Sequence, residues 1–75
     1  MAKKVARKQR SIADELRAAI RESGLTHYRI GKNSSVSPAV IDRFVSGERD
    51  PLFSTAEKIA RGAGYRLVLE PLDEE

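Results

Sequence analysis

The chain has no cysteine and no tryptophan, and its 75 residues include one histidine (His27), two tyrosines and two phenylalanines. Without cysteine, neither a disulfide nor a thiolate metal site can form. A lone imidazole cannot assemble a zinc site, which takes about four ligands. No metal and no cofactor are therefore expected. No apolar run approaches the roughly 20 residues that span a bilayer, and the basic start leads into no apolar core of the signal-peptide kind. A membrane partner is not expected, and the lack of cysteine suits a reducing cytoplasm. The sequence also lacks a phosphate-cradling glycine loop and an evident acid–base pair, so it is not expected to be an enzyme.

What is present is small and basic. A chain of this length is one domain at most, and folding buries only about 60% of its unfolded surface. With disulfides and metals excluded, tight helix packing and self-association remain as sources of stability, and a homodimer is expected. The formal net charge is +3 with a pI of about 9.6, and the signs are segregated. Residues 1–10 form a basic arm carrying Lys3, Lys4, Arg7, Lys8 and Arg10 with no acid. The last six residues carry Glu70, Asp73, Glu74 and Glu75 with no base, and 72–75 form an acidic tail. A basic arm of this kind suggests a polyanion partner.

Between the tails, residues 11–64 read as four short helices. Ser11 begins a capping box with Asp14. Ile12, Leu16, Ala19 and Ile20 then form one apolar face, with Arg17, Arg21 and Glu22 on the other side and Gly24 as the stop. Thr26 caps a short second helix from His27 to about Asn33. Ser37-Pro38 is a strong start signal, because serine caps and proline at the first helical position gives up nothing by lacking an N–H. Val40, Ile41, Phe44 and Val45 share a face of this third helix, residues 38–46, which Gly47 stops. Pro51 breaks the following loop. Ser54 and Glu57 make another capping box, and Phe53, Ala56, Ile59, Ala60 and Ala63 keep helical period up to Gly64.

The period then turns twofold. Tyr65, Leu67 and Leu69 alternate with Arg66, Val68 and Glu70 until Pro71, which reads as a short strand over 65–71. A lone strand leaves both edges unpaired. The simplest remedy is pairing with the same strand of a second chain about a twofold axis, through Tyr65, Leu67, Val68 and Leu69. The expected fold class is all-α: a four-helix domain with a C-terminal strand paired across a dimer.

The informative stretch is THYRIGKNSSVSPAVIDRFVSG, Thr26 to Gly47. Two short helices joined by about three residues, with apolar contacts on each side of the turn, have helix-turn-helix geometry. Ile30 and Gly31 face inward on the first helix, and a small residue at 31 lets the second helix come close. Val36 plugs the turn, and Ile41 and Phe44 anchor the second helix. Its solvent-facing positions are then Pro38, Ala39, Asp42, Arg43 and Ser46.

Over roughly residues 12–64 the chain resembles the phage-repressor and Cro-like family of DNA-binding regulators, also called XRE-type. The likeness is carried by YRIGKNSSVSPAVIDRFVSG and by TAEKIARGAG in the fourth helix. Two positions depart from the family pattern. Gly31 stands where alanine is usual, which costs helix stability by up to about 1 kcal/mol. Ser35 stands where glycine is usual, so a left-handed backbone there would strain serine mildly. The strand-like ending looks like the subset of antitoxin-type regulators that dimerise through a C-terminal strand.

The resemblance implies a sequence-specific transcriptional regulator, a homodimeric repressor on double-stranded DNA, located in the cytoplasm on the nucleoid. It implies that Pro38, Ala39, Asp42 and Arg43 face base edges in the major groove. Arg43 suits guanine bidentately, and Ala39 suits a thymine methyl. Asp42 repels phosphate, so it either accepts from a cytosine amino group or holds Arg43 in place. Thr26, His27 and Ser37 lie at helix N-termini, where phosphate is favoured. Arg29, Lys32, Ser46 and Arg49 are further phosphate candidates, and the arm Lys3, Lys4, Arg7, Lys8 and Arg10 suits the backbone or the minor groove. Two alternatives stand beside this: an antitoxin that also binds a toxin protein and represses its own operon, and a protein-interaction module without DNA.

Overall fold

The computed structural model describes residues 11–72. Four helices make up the regular structure: α1 (Ile12–Ser23), α2 (His27–Ser34), α3 (Pro38–Val45) and α4 (Phe53–Gly62). The basic arm Lys3, Lys4, Arg7, Lys8 and Arg10 and the acidic Asp73 to Glu75 lie outside the described residues.

The helix ends follow the capping chemistry of the sequence in three of four cases. Ser11 Oγ accepts from the Asp14 N–H at 3.1 Å, and Gly24 ends α1 in the left-handed conformation with φ 72°. Thr26 Oγ1 accepts from the Arg29 N–H at 3.0 Å. Ser37 Oγ accepts from the Ala39 N–H at 3.2 Å, with Pro38 in the first turn. Each such cap contributes about 1 kcal/mol. The fourth expectation is corrected. Helix α4 starts at Phe53 with Leu52 as its N-cap and no side-chain cap bond, so Ser54 lies inside the first turn and not at the cap. The Pro51-Leu52 entry sets the helix going before Ser54 is reached.

The four apolar faces converge on one core of Leu16, Ile20, Ile30, Ile41, Phe44, Ile59, Ala60 and Ala63. Every helix contributes to it, as an amphipathic helix must if it is to bury its stripe. Of the residues expected on inward faces, Ile12 (58% exposed) and Phe53 (68% exposed) are exposed, and Ala19 and Val40 are only half-buried outside the core cluster. Ile12 and Phe53 sit at the first position of their helix, where no neighbouring turn covers them.

Close approach of α2 to its neighbours depends on two glycines. A Cβ on Gly31 would lie 2.6 Å from the Val36 carbonyl oxygen, and one on Gly62 would lie 2.8 Å from the Ile30 carbonyl oxygen. Gly31 thus seats the start of α3 and Gly62 seats α4 on α2. Asn33 Nδ2 donates to the Gly62 carbonyl at 3.1 Å, tying the same contact from the polar side.

The expected strand is absent: among the described residues there is none, and 65–72 run as non-helical chain. Strand hydrogen bonds need a neighbouring strand, and the four helices of this chain offer no edge. Leu67 packs against the core, while Val68 and Leu69 are exposed. Of the alternating set Tyr65, Leu67 and Leu69 only Leu67 faces inward, so the twofold alternation creates neither a ladder nor an inward face. No helix among the described residues is long and apolar enough to cross a membrane.

Candidate nucleic-acid interface

Helix α2, the turn and α3 form one unit whose angle is set by the backbone. Ser35 takes the left-handed conformation, φ 65° and ψ 29°, as the C-cap of α2. Its N–H and that of Val36, the latter at 3.1 Å, both donate to the Gly31 carbonyl. Ser34 Oγ, buried, donates to the Ile30 carbonyl at 2.7 Å. These bonds satisfy carbonyls that a helix end otherwise leaves open. The chain then rises through Ser37, extended at φ −61° and ψ 135°, into α3.

On the inner side of α3, Ile41 and Phe44 are buried. On the outer side, Pro38, Ala39, Asp42, Arg43 and Ser46 are all exposed. The phosphate candidates named from the sequence are accessible: Thr26, Arg29, Lys32, Ser37 and Arg49 are exposed and His27 is half-buried. Lys32 Nζ lies 5.7 Å from the centroid of the exposed Tyr28 ring, a cation–π contact that leaves the ammonium at the surface. Ser46 Oγ donates to the Arg43 carbonyl at 3.1 Å, which ties that hydroxyl to the end of its own helix.

The charged side chains do not pair as the sequence alone suggested. Asp42 is not held against Arg43. Its Oδ1 meets Nδ1 of His27 across the two helices. Arg43 takes part in no ion pair among the described residues and stands exposed at the surface. An unpaired, exposed guanidinium is free to meet an incoming acceptor.

Arg17 is the residue sequence reading missed. Helical period put it on the solvent side of α1, yet its side chain is mostly covered. Its Nε donates to the Phe44 carbonyl at 2.8 Å, and its guanidinium lies 4.7 Å from the Phe44 ring centroid. Asp14 at 3.0 Å and Asp50 at 3.3 Å complete its partners. Arg17 therefore clamps α1 to the C-terminal end of α3 and to the loop beyond. The one legible signal was Asp14 three residues earlier, which favours a pair on one helix face.

Among the described residues no group of three or more histidine, aspartate or glutamate side chains is placed to hold a metal ion. No family model, curated protein or solved structure matches the chain.

Proposed function

We propose that the chain is a double-stranded-DNA-binding regulator that presents α3 to the major groove and acts as a homodimer without doing chemistry on its ligand. One observation carries this reading. The outward face of α3 is exposed over Pro38, Ala39, Asp42 and Arg43, the N-termini of α2 and α3 are capped, and Arg29, Lys32 and Arg49 are exposed as well. Base edges would be met by the centre of that surface and phosphates by its rim, the division of labour that DNA readers use. A twofold mate would pair along residues 65–71, a role supported by the exposure of Tyr65, Val68 and Leu69. The setting that suits this activity is the cytoplasm, on the nucleoid.

The test is fluorescence anisotropy of a labelled random-sequence duplex at low salt. Binding is expected, and it should weaken steeply as salt rises, because released counterions supply most of non-specific affinity. No binding at micromolar protein would overturn the reading and leave a protein-interaction module in its place. The exposed apolar residues Val68, Leu69 and Leu72 would also suit a partner protein such as a toxin. Co-purification of a second polypeptide in fixed stoichiometry is the result that would favour an antitoxin.

A further inference from the structure

Asp42 is the single acid between Thr26 and Gly47, a stretch that also holds Arg29, Lys32 and Arg43. It stands on the exposed face of α3, where a carboxylate opposes an approaching phosphate. Its partner is His27, the only histidine in the chain and the first residue of α2. The imidazole is partly covered and the carboxylate mostly open, with side-chain exposures of 34% and 64%.

Several groups act on the charge of this ring. From α3, Asp42 favours the imidazolium, and Arg43 is the next residue along. From α2 itself, the positive helix end disfavours it, with Arg29 two residues on and no acid in the first turn. Among the described residues, no carboxylate of α1 or α4 lies within ion-pairing distance of His27. Among the described residues, Asp42 is thus the one carboxylate in ion-pairing distance of the ring.

We infer that the His27–Asp42 pair makes DNA binding proton-linked, so that uptake of one proton at His27 cancels the charge of Asp42 and raises affinity. This inference rests on the DNA reading given above. With a neutral ring, the Thr26–Gly47 surface presents three cations against one acid; with a charged ring it presents four. A phosphate brought to the N-terminal end of α2 adds a second anion near the ring. The complex then holds the proton more tightly than the free chain does. The sign follows from linkage. Affinity is highest below the pH at which the free chain titrates, and it is lost as pH rises through the titration of the complex. One proton bounds the effect at about tenfold per pH unit.

The experiment measures the affinity of the full chain for a random-sequence duplex at fixed salt, between about pH 5 and 8. Random sequence keeps any base-reading role of Asp42 out of the measurement. The wild-type chain is expected to gain about three- to tenfold toward acid. His27→Gln, which keeps a polar side chain, should lose most of that gain. Asp42→Asn should bind more tightly than wild type at the alkaline end, where His27 is neutral. Circular dichroism would check that both variants fold. Identical pH profiles for wild type and His27→Gln would overturn the inference, as would an Asp42→Asn variant that binds no better at alkaline pH. Failure of the wild type to bind at any pH would overturn the DNA reading itself, and this inference with it.

Discussion

Replacing Gly31 by alanine should destabilise the chain, against the direction that helix propensity alone gives. Position 31 lies inside α2, and alanine is the better helix former there by about 0.5–1 kcal/mol. The added methyl, however, would sit 2.6 Å from the Val36 carbonyl oxygen and 3.2 and 3.3 Å from the Cγ and Cδ of Pro38. None of these neighbours is the far end of a flexible side chain. The oxygen belongs to the backbone of the turn, and the ring is fixed to the backbone of α3. Relief therefore requires the turn to open, and overpacking of this kind costs about 1–3 kcal/mol. With stiff neighbours the cost falls in the upper half of that range, leaving a net loss of about 1–2.5 kcal/mol after the propensity gain. For a domain of this size, each 1 kcal/mol moves Tm by about 4–8 °C. Thermal and urea unfolding followed by circular dichroism would measure it at matched protein concentration, since any self-association makes Tm concentration-dependent. A Gly31→Ala chain as stable as wild type, or more stable, would refute the claim that α2 and the start of α3 touch backbone to backbone.

Ser35→Gly should act in the opposite sense. A left-handed serine at φ 65° costs about 1–2 kcal/mol, partly offset by the entropy glycine loses on folding, so a gain of about 0.5–1 kcal/mol in urea unfolding is expected. Arg17→Met keeps the apolar stem but removes the bond to the Phe44 carbonyl. That carbonyl still accepts from the Gly47 N–H at 3.0 Å, and the Asp14 and Asp50 partners are exposed, so the loss in unfolding free energy should be only about 1–2 kcal/mol. Arg43→Ala should lower the ratio of specific to random-sequence affinity in competition binding, while Arg29→Ala and Lys32→Ala should weaken both alike and flatten the salt dependence by about one charge each. Equal loss on all sequences for Arg43→Ala would remove the base-reading role from that residue.

The elements that were legible in the sequence are those written in local chemistry. Ser11, Thr26 and Ser37 announce helix starts because a hydroxyl can satisfy a specific open N–H, and each does so. The close approach at Gly31 follows from the helix-turn-helix spacing and the turn at Ser35 from the family resemblance, and the structure has both the close approach and the left-handed serine. The outward set on α3 follows from period alone once Ile41 and Phe44 are placed inside. What was not legible depends on distant parts of the chain. Arg17 reaches the Phe44 carbonyl across 27 residues, and Asp42 turns to His27 across 15, leaving Arg43 without the partner that adjacency suggested. The 65–71 segment alternates like a strand, but a ladder requires a second edge that lies outside a single chain. Ser54 looked like a cap by spacing, and the turn at Pro51-Leu52 started α4 two residues sooner than a Ser54 cap would have.

The most direct test is a proton–nitrogen NMR titration of the full chain with a random-sequence duplex at low salt. Amide signals of Ala39, Asp42, Arg43 and the first turns of α2 and α3 should shift together and saturably, while those of Ile20 and Ile59 in the core stay in place. Shifts confined to the outer faces of α1 and α4, or none at all, would mean that the exposed face of α3 is not where this protein meets nucleic acid.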